Sequence, residues 1–331
     1  MRVAQVNDIA YVGSTLTRAL RATGIDADLI EPRHPGAGWP YPWKLATFPV
    51  RLAALLGSAV RIRAGRYDVV HVHYARLGLL GALSGRPYVI HCHGSDIRGV
   101  RPRSVWGLAM RPFLAGAARV YFATPDLAPW VRAFRPDATF LPNPIEVPEF
   151  EALARNDLER RDLLIGVRLD ATKGVDEIEQ VVRAVVARRP ETSTTIIAHG
   201  SGLGRVRAAA GVGAPVRAPV EHAAMPRLFA GHRLAIGQMR LGAIGNYELE
   251  ALAARVPIAA SFTFPDAYPT PPPVIDRSAT ATADAIVDLL GDERARDELA
   301  EMGRSWVVDY HGAAAIAARL AADYAGFAPG P

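Results

Sequence analysis

The chain has 331 residues, half of them hydrophobic, with one cysteine and a formal net charge of +5 at pH 7. The length favours two domains over one, and the single cysteine, Cys92, excludes an internal disulfide and a cysteine-based zinc site. The basic balance favours an anionic partner, although charge alone does not separate a nucleotide, a nucleic acid and a membrane surface.

Short β-branched runs alternate with longer amphipathic stretches, a pattern typical of βα units and a parallel sheet. In the first half the pattern predicts strands at 2–6, 27–30, 69–73, 88–92, 120–123 and 139–141, with helices at 15–23 and 127–134 among the connections. The second half predicts strands near 163–167, 194–198, 216–218, 234–237 and 258–260, and helices near 175–188, 225–231, 247–254, 282–290 and 294–308.

The segment 146–161 is rich in proline and charge and is typical of a linker. We therefore expect an α/β chain of two Rossmann-like, doubly wound domains that face each other across a cleft. The first domain would span 1–145, with a C-terminal helix at 305–325 packed back on it, and the second would span 162–304. Open sheets of this kind bind ligands at the carboxyl ends of their strands.

Two motifs in the second half point to a nucleotide sugar. Arg168 and Lys173 follow a predicted strand, and Gly174 allows the chain to turn into the next helix. Fixed cations suit a diphosphate, because charge-assisted hydrogen bonds to phosphate oxygens are the strong ones. Glu250 lies in the first turn of an Ala-rich helix, where its carboxylate can accept both hydroxyls of a ribose.

These motifs resemble the retaining glycosyltransferases of GT-B architecture, often called group 1 or family 4. Residues 168–174 are similar to the Arg-Leu-x-x-x-Lys-Gly turn that opens the second domain of that family, and residues 250–257 resemble its Glu-Ala-(Met/Leu)-Ala-x-Gly-x-Pro helix. Residues 93–97 resemble its His-Gly turn, and residues 141–144 resemble its Ile-Pro-Asn-Gly hinge with proline in place of glycine.

The resemblance implies transfer of a hexosyl group from a nucleotide diphosphate donor to a hydroxyl acceptor, with retention and without a metal or other cofactor. It implies that Arg168 and Lys173 hold the donor diphosphate, that Glu250 holds the ribose and that His93 lies beside the transferred sugar. It also implies donor contacts from Gly13, Ser14, Gly202, Gly245, Asn246 and Tyr247, and acceptor-side contacts from Gly94, Ser95 and Asp96. The acceptor would be a glycan, a lipid-linked intermediate or a small metabolite, and no nucleic acid is expected.

One position departs from the family pattern. The family carries a further carboxylate eight residues before the ribose-binding one, and here that position is Gly242. Gln238 or Asn246 would then replace the missing sugar contact, or the donor would differ from the commonest ones. Two alternatives stay open: a nucleotide-sugar epimerase of the same fold, and a catalytically inactive nucleotide-binding homologue.

Four histidines form two His-x-His pairs, His71 with His73 and His91 with His93. Residues two apart on a strand share a face, so neighbouring strands could present four imidazoles to a metal. Strands buried on both sides also carry hydrogen-bonded histidines, and this second interpretation agrees better with a metal-independent enzyme.

The segment 43–66 predicts a basic amphipathic helix in the first domain. Such a helix can lie on an anionic membrane or pack on its own sheet. The N-terminus breaks its apolar pattern too early for a signal peptide, and no apolar run is long enough to span a bilayer. We therefore expect a cytoplasmic protein, either free or peripheral to the inner membrane face.

Overall fold

A computed structural model describes residues 1–32, 43, 46–151, 159–211 and 213–327. It divides the chain into two units, each built on one parallel sheet. Met1–Pro144 and the C-terminal segment from Ala313 form the first unit, and Ile145–Gly312 forms the second unit.

The sheet of the first unit has the strand order β2-β1-β3-β4-β5-β6 in the described residues. Its strands are β1 (Arg2–Val6), β2 (Asp26–Ile30), β3 (Val69–His73), β4 (Tyr88–Cys92), β5 (Arg119–Phe122) and β6 (Thr139–Phe140). The helices between them are α1 (Val12–Ala22), α2 (Phe48–Ala64), α3 (Gly78–Leu83), α4 (Val105–Gly116) and α5 (Ala128–Arg132). Every residue of β3 and β4 is buried, as expected for parallel strands with helices on both faces.

The second unit repeats the architecture with the strand order β11-β10-β7-β8-β9. Its strands are β7 (Arg161–Ile165), β8 (Thr194–Ile197), β9 (Val216–Arg217), β10 (His232–Ile236) and β11 (Ile258–Ala259). Its helices are α6 (Val147–Glu151), α7 (Val175–Arg188), α8 (Leu203–Ala210), α9 (Met225–Ala230), α10 (Asn246–Ala253), α11 (Ala279–Gly291) and α12 (Glu293–His311). Two parts of the predicted linker 146–161 are described, 146–151, which contains α6, and 159–161, which ends in the first residue of β7. Residues 152–158 lie outside the described residues.

The predicted helix 305–325 is divided in the structure. Its first part ends α12 at His311 in the second unit, and the last helix, α13 (Ala313–Ala325), packs on α1 in the first unit. Gly312 leaves the helical region, with φ −55° and ψ 124°, and pairs with Ile145. The Ile145 amide donates to the carbonyl of His311 at 2.7 Å, so this local pairing fixes the break.

The two faces of the first sheet carry separate cores. One core joins the sheet to α2, α3, α4 and α5, and the other joins it to α1 and α13. Among the described helices, none has the length and apolar content that crossing a bilayer requires.

Candidate functional site

A turn with two cations follows β7 in the second unit. The Asp170 carboxylate accepts the backbone amide of Lys173 at 3.1 Å and pairs with the Arg168 guanidinium, whose side chain is about half exposed. Gly174 then takes a left-handed conformation, with φ +80°, and α7 begins. Within the described residues Lys173 has no carboxylate at ion-pair distance, so its ammonium group is available to a ligand.

The loop after β10 is bound to this turn and to the start of α7 by a hydrogen bond and two ion pairs. The Met239 amide donates to the carbonyl of Lys173 at 2.9 Å. The Arg240 guanidinium lies 2.7 Å from the Glu177 carboxylate and 3.3 Å from that of Asp176, both in the first turn of α7. A Cβ at Gly174 would lie 2.9 Å from that of Arg240, so the close approach requires glycine there. Because β7 and β10 are neighbours in the sheet, the two loops form one surface at its carboxyl-end edge.

The N-terminus of α10 opens onto the same edge. Gly245 caps the helix, and the Glu248 carboxylate accepts its amide at 2.9 Å and the Gln238 amide at 2.9 Å. The Tyr247 hydroxyl accepts the Gly166 amide at 3.0 Å, which ties the start of the helix to the end of β7. A helix N-terminus favours anions through its free N–H groups and its dipole. Asn246, a predicted donor contact, is the first helical residue.

Glu250 lies in the second turn of α10, and not in the first as the sequence predicts, because the helix begins at Asn246. It is buried, with its carboxylate 3.0 Å from Nε2 of His222. Burial raises the pKa of Glu250, and the hydrogen bond from His222 opposes that rise. His222 is not among the site residues predicted from the sequence. It lies 28 residues away in a 3₁₀ turn before α9, and no spacing pattern connects the two.

The loop at Gly242 argues against one sequence expectation, that Gln238 replaces the missing sugar contact. Gly242 has φ +72°, and a Cβ there would lie 2.2 Å from the hydroxyl oxygen of Thr263, so the position cannot hold a family-like carboxylate without rearrangement. The Gln238 side chain is fully buried and donates to the carbonyls of Ala243 and Ser261, while its oxygen accepts the Gly242 amide. Because its amide group is committed to the loop, Gln238 is not free to contact a sugar.

Two of the three predicted acceptor-side residues serve the local fold. The Asp96 carboxylate is fully buried and accepts the amides of Gly94 at 2.8 Å, Ala75 at 2.7 Å and His93 at 3.1 Å. Burial raises the pKa of Asp96, and these amides lower it. Gly94 is buried in the turn that Asp96 holds, whereas Ser95 is exposed. Asp96 therefore holds the loop that follows β4 and cannot reach an acceptor.

The remaining predicted donor residues lie in two places. Gly202 caps α8 after β8, and its amide donates to the carbonyl of Leu169 at 2.8 Å, beside the cation turn. Gly13 is buried in the first turn of α1, and the Ser14 amide donates to the Asp8 carboxylate at 2.9 Å. The second unit thus gathers Arg168, Lys173, Gly202, Gly245 and Tyr247 at one sheet edge, while His93, Gly13 and Ser14 belong to the first unit.

A hydrogen-bonded chain runs inward from His93. Nε2 of His93 lies 3.1 Å from Nδ1 of His73, whose Nε2 lies 2.7 Å from the side-chain oxygen of Gln5. Gln5 donates its side-chain N–H to the Tyr324 hydroxyl, which lies 2.5 Å from Nδ1 of His71. A neutral imidazole has one donor and one acceptor nitrogen. With the Gln5 amide in this orientation, His73 and His93 carry their protons on Nε2, and a Tyr324 hydroxyl that donates to Nδ1 of His71 places the proton of His71 on Nε2 as well.

These histidines are neutral, and His71, His73 and His91 are fully buried whereas His93 is half-buried. Burial lowers the pKa of His71, His73 and His93 well below the usual range and that of His91 to about 3. Nitrogens of His71, His73 and His91 lie within 4.8 Å of one another, as a metal site would require. Hydrogen bonds nevertheless occupy both nitrogens of His73 and one nitrogen each of His71 and His91, which favours the structural interpretation.

Comparison with known proteins gives a family match and a shared fold. Residues 11–148 match the model of Glycosyltransferase Family 4, and none of the curated protein sequences matches the chain. The structure is similar to sucrose-phosphate synthase from Thermosynechococcus elongatus, with TM-score 0.70, 18% identity and 98% of each chain covered. It is also similar to HepE from Anabaena (TM-score 0.67, 11% identity, 98% of this chain and 100% of that one). A third neighbour is AviGT4, a glycosyltransferase involved in avilamycin A biosynthesis (TM-score 0.64, 17% identity, 98% and 97% covered). These likenesses confirm the predicted two-domain α/β fold of GT-B type.

Proposed function

We propose that this chain, which carries a Glycosyltransferase Family 4 match over residues 11–148 on a GT-B fold, transfers a sugar from a nucleotide diphosphate donor to a hydroxyl acceptor. The observation that carries the proposal is the convergence of Arg168, Lys173 and the N-terminus of α10 at the carboxyl ends of β7 and β10. Three positive features on one edge suit a diphosphate better than a neutral ligand.

The residues at the carboxyl ends of β7 and β10 would stabilise the departure of the nucleoside diphosphate. Negative charge develops on the diphosphate as the glycosidic bond breaks, and preorganised donors aimed at that charge lower the barrier. Arg168 and Lys173 would supply cations, and α10 would supply backbone N–H groups. Glu250 would hold the ribose hydroxyls, and His93 on the first unit would lie beside the sugar.

We further propose that the reaction needs no metal and retains the anomeric configuration. The cations of the turn would balance the diphosphate charge that a metal balances in other transferases. Retention rests on the family resemblance alone. HepE structures were solved with UDP, with UDP and glucose and with UDP-glucose, so UDP-glucose is the first donor to test.

A catalytically inactive nucleotide-binding protein is the second candidate, because Gly242 and its packing against Thr263 leave no carboxylate at the usual position. Incubation with UDP-glucose and other nucleotide sugars, with and without acceptors and with EDTA, separates the possibilities. The acceptor panel holds glycans, lipid-linked intermediates and small hydroxylated metabolites.

A transferase forms a glycosylated acceptor and releases the nucleoside diphosphate in the presence of EDTA. An epimerase converts the donor without any acceptor. A binding protein gives a thermal shift, since ligand at 100 times its Kd adds about 2.7 kcal/mol of stability, but turns over nothing. If no nucleotide or nucleotide sugar shifts the melting temperature, the donor site itself is disproved.

A further inference from the structure

The outer face of α2 exposes a stripe of large apolar side chains. Phe48, Leu52, Leu56 and Val60 recur every four residues, and all are exposed, Val60 to 67%. The face that packs on the sheet is apolar as well, because Ile62 and its neighbours belong to the core of the first unit. A helix that packs on one side normally carries polar residues on its exposed surface, so, within the described residues, the exposed apolar side chains of α2 lack the cover that such residues usually have.

A second helix on the same side of the sheet has the same character. On α4, Val105 is 83% exposed, Trp106 59% and Leu108 57%. The guanidinium of Arg76 lies 5.3 Å from the centre of the Trp106 ring, which holds the indole in place at the surface. The short helix α3 packs against both α2 and α4, so the three helices form one layer over the sheet.

The stretch of sequence that forms this layer is strongly basic. From Trp43 to Gly116 the sequence holds eleven basic residues, ten of them arginine, against two acidic ones, a formal net charge of +9 compared with +5 for the whole chain. Of the two carboxylates, Asp68 accepts the Arg2 backbone amide at 2.6 Å and Asp96 is fully buried. Within the described residues, several arginines of the layer make no ion pair with a carboxylate: Arg51, Arg63, Arg101, Arg103 and Arg111.

We propose that the outer surface of α2 and α4 binds an anionic lipid bilayer. Exposed apolar chains insert to the depth of the acyl boundary when a helix lies in the interface, and surrounding arginines pair with anionic headgroups. Tryptophan is the residue type that prefers that depth. A protein partner would bring its own carboxylates and a shaped surface, whereas the large excess of basic residues in this stretch matches a bilayer of uniform negative charge. The surface is independent of the donor edge and needs no nucleotide.

The test uses the full chain and vesicles of phosphatidylcholine alone or with phosphatidylglycerol at 7:3. We expect co-sedimentation with the anionic vesicles, a blue shift of tryptophan emission, and loss of binding at high salt. The variant Arg101→Gln/Arg103→Gln should partition about 25-fold more weakly, roughly five-fold per charge. Phe48→Gln/Val60→Gln and Trp106→Gln/Leu108→Gln should weaken binding at every salt concentration, because they remove apolar insertion.

Met302 and Val308 on α12 of the second unit are exposed apolar residues outside this layer, so Met302→Gln/Val308→Gln is the matched control and should bind as the wild type does. Circular dichroism melts verify that each variant is folded. Equal partitioning of the wild type onto neutral and anionic vesicles overturns the proposal, and so does unchanged binding of the layer variants. If the apolar variants instead convert a dimer to a monomer in sedimentation velocity without altering vesicle binding, the layer is a contact between copies and the proposal is wrong.

Discussion

Nε2 of His222 lies 3.0 Å from the carboxylate of Glu250, and this contact joins the 3₁₀ turn before α9 to the helix that begins at the proposed diphosphate site. Burial raises the pKa of Glu250 above its usual value, and His222 only partly offsets the rise. Keeping the Glu250 carboxylate ionised in the folded protein therefore lowers the free energy of unfolding. Such a cost is expected of a hydrogen-bond acceptor that is placed to bind a ligand.

The first prediction concerns the pH dependence of that cost. Between the ordinary pKa of a glutamate, about 4.3, and the raised pKa of Glu250, the folded protein keeps a proton that the unfolded chain has lost. Stability therefore falls as pH rises through this window, and the cost is fully present above it. The Tm difference between Glu250→Gln and wild type should grow from near zero at pH 4 to a positive plateau at higher pH.

The same variant should bind UDP about 10- to 100-fold more weakly, because it loses a charge-assisted hydrogen bond worth about 1.5–3 kcal/mol. Calorimetric titration measures this loss. The comparison variant is Glu248→Gln. The two oxygens of Glu248 accept the backbone amides of Gln238 and Gly245, and glutamine keeps only one of these acceptors. This variant therefore measures the effect of loosening the loop while the carboxylate of Glu250 stays in place. Glu250→Gln with the affinity of wild type would disprove the ribose role.

The fold could be predicted because parallel strands carry continuous apolar runs, and β3 and β4 have the predicted bounds. The cation turn could also be predicted, since Arg168 to Gly174 is one local segment. The pairing of His222 with Glu250 could not, because it depends on how two distant segments pack. The break at Gly312 depends in the same way on Ile145, which lies far away in the sequence.

The second prediction tests the diphosphate edge. Arg168→Ala and Lys173→Ala should each lower kcat/KM by about 100- to 1,000-fold, the loss typical of one preorganised group that stabilises developing charge. The melting temperature should hardly change, because both side chains are partly exposed and an exposed ion pair contributes about 1 kcal/mol at most.

Arg183→Ala is the matched control, since that arginine lies on α7, is 64% exposed and pairs with Glu179. It should retain wild-type kinetics. Wild-type rates in folded Arg168→Ala and Lys173→Ala would show that the diphosphate lies elsewhere.

The third prediction concerns the chain of buried histidines. Nitrogen-15 NMR of histidine-labelled protein should find His71, His73 and His93 neutral at pH 7, each with its proton on Nε2. Tyr324→Phe removes the hydroxyl that lies between Gln5 and His71. His71 should then no longer be held with its proton on Nε2, and the free energy of unfolding should fall by about 1–3 kcal/mol. A mixture of tautomers in the wild type, with His73 and His93 protonated on different nitrogens, would contradict the chain of hydrogen bonds. His232 is the internal reference, because it is buried in the second unit, away from this chain.

The last prediction concerns the position where the family carries its further carboxylate. Gly242→Glu should destabilise the protein by about 1–3 kcal/mol, because the backbone has a positive φ that side chains rarely adopt and the new Cβ would meet the hydroxyl of Thr263 at 2.2 Å. Urea unfolding measures the loss. Gly204→Ala is the control, since a Cβ there meets nothing within 4 Å. Because Thr263 fills the space, the double variant Gly242→Glu/Thr263→Ala should be more stable than Gly242→Glu. It should stay less stable than wild type, because the positive φ at position 242 is unchanged. Full stability in Gly242→Glu alone would show that the loop rearranges freely and that the carboxylate is missing for a reason other than packing.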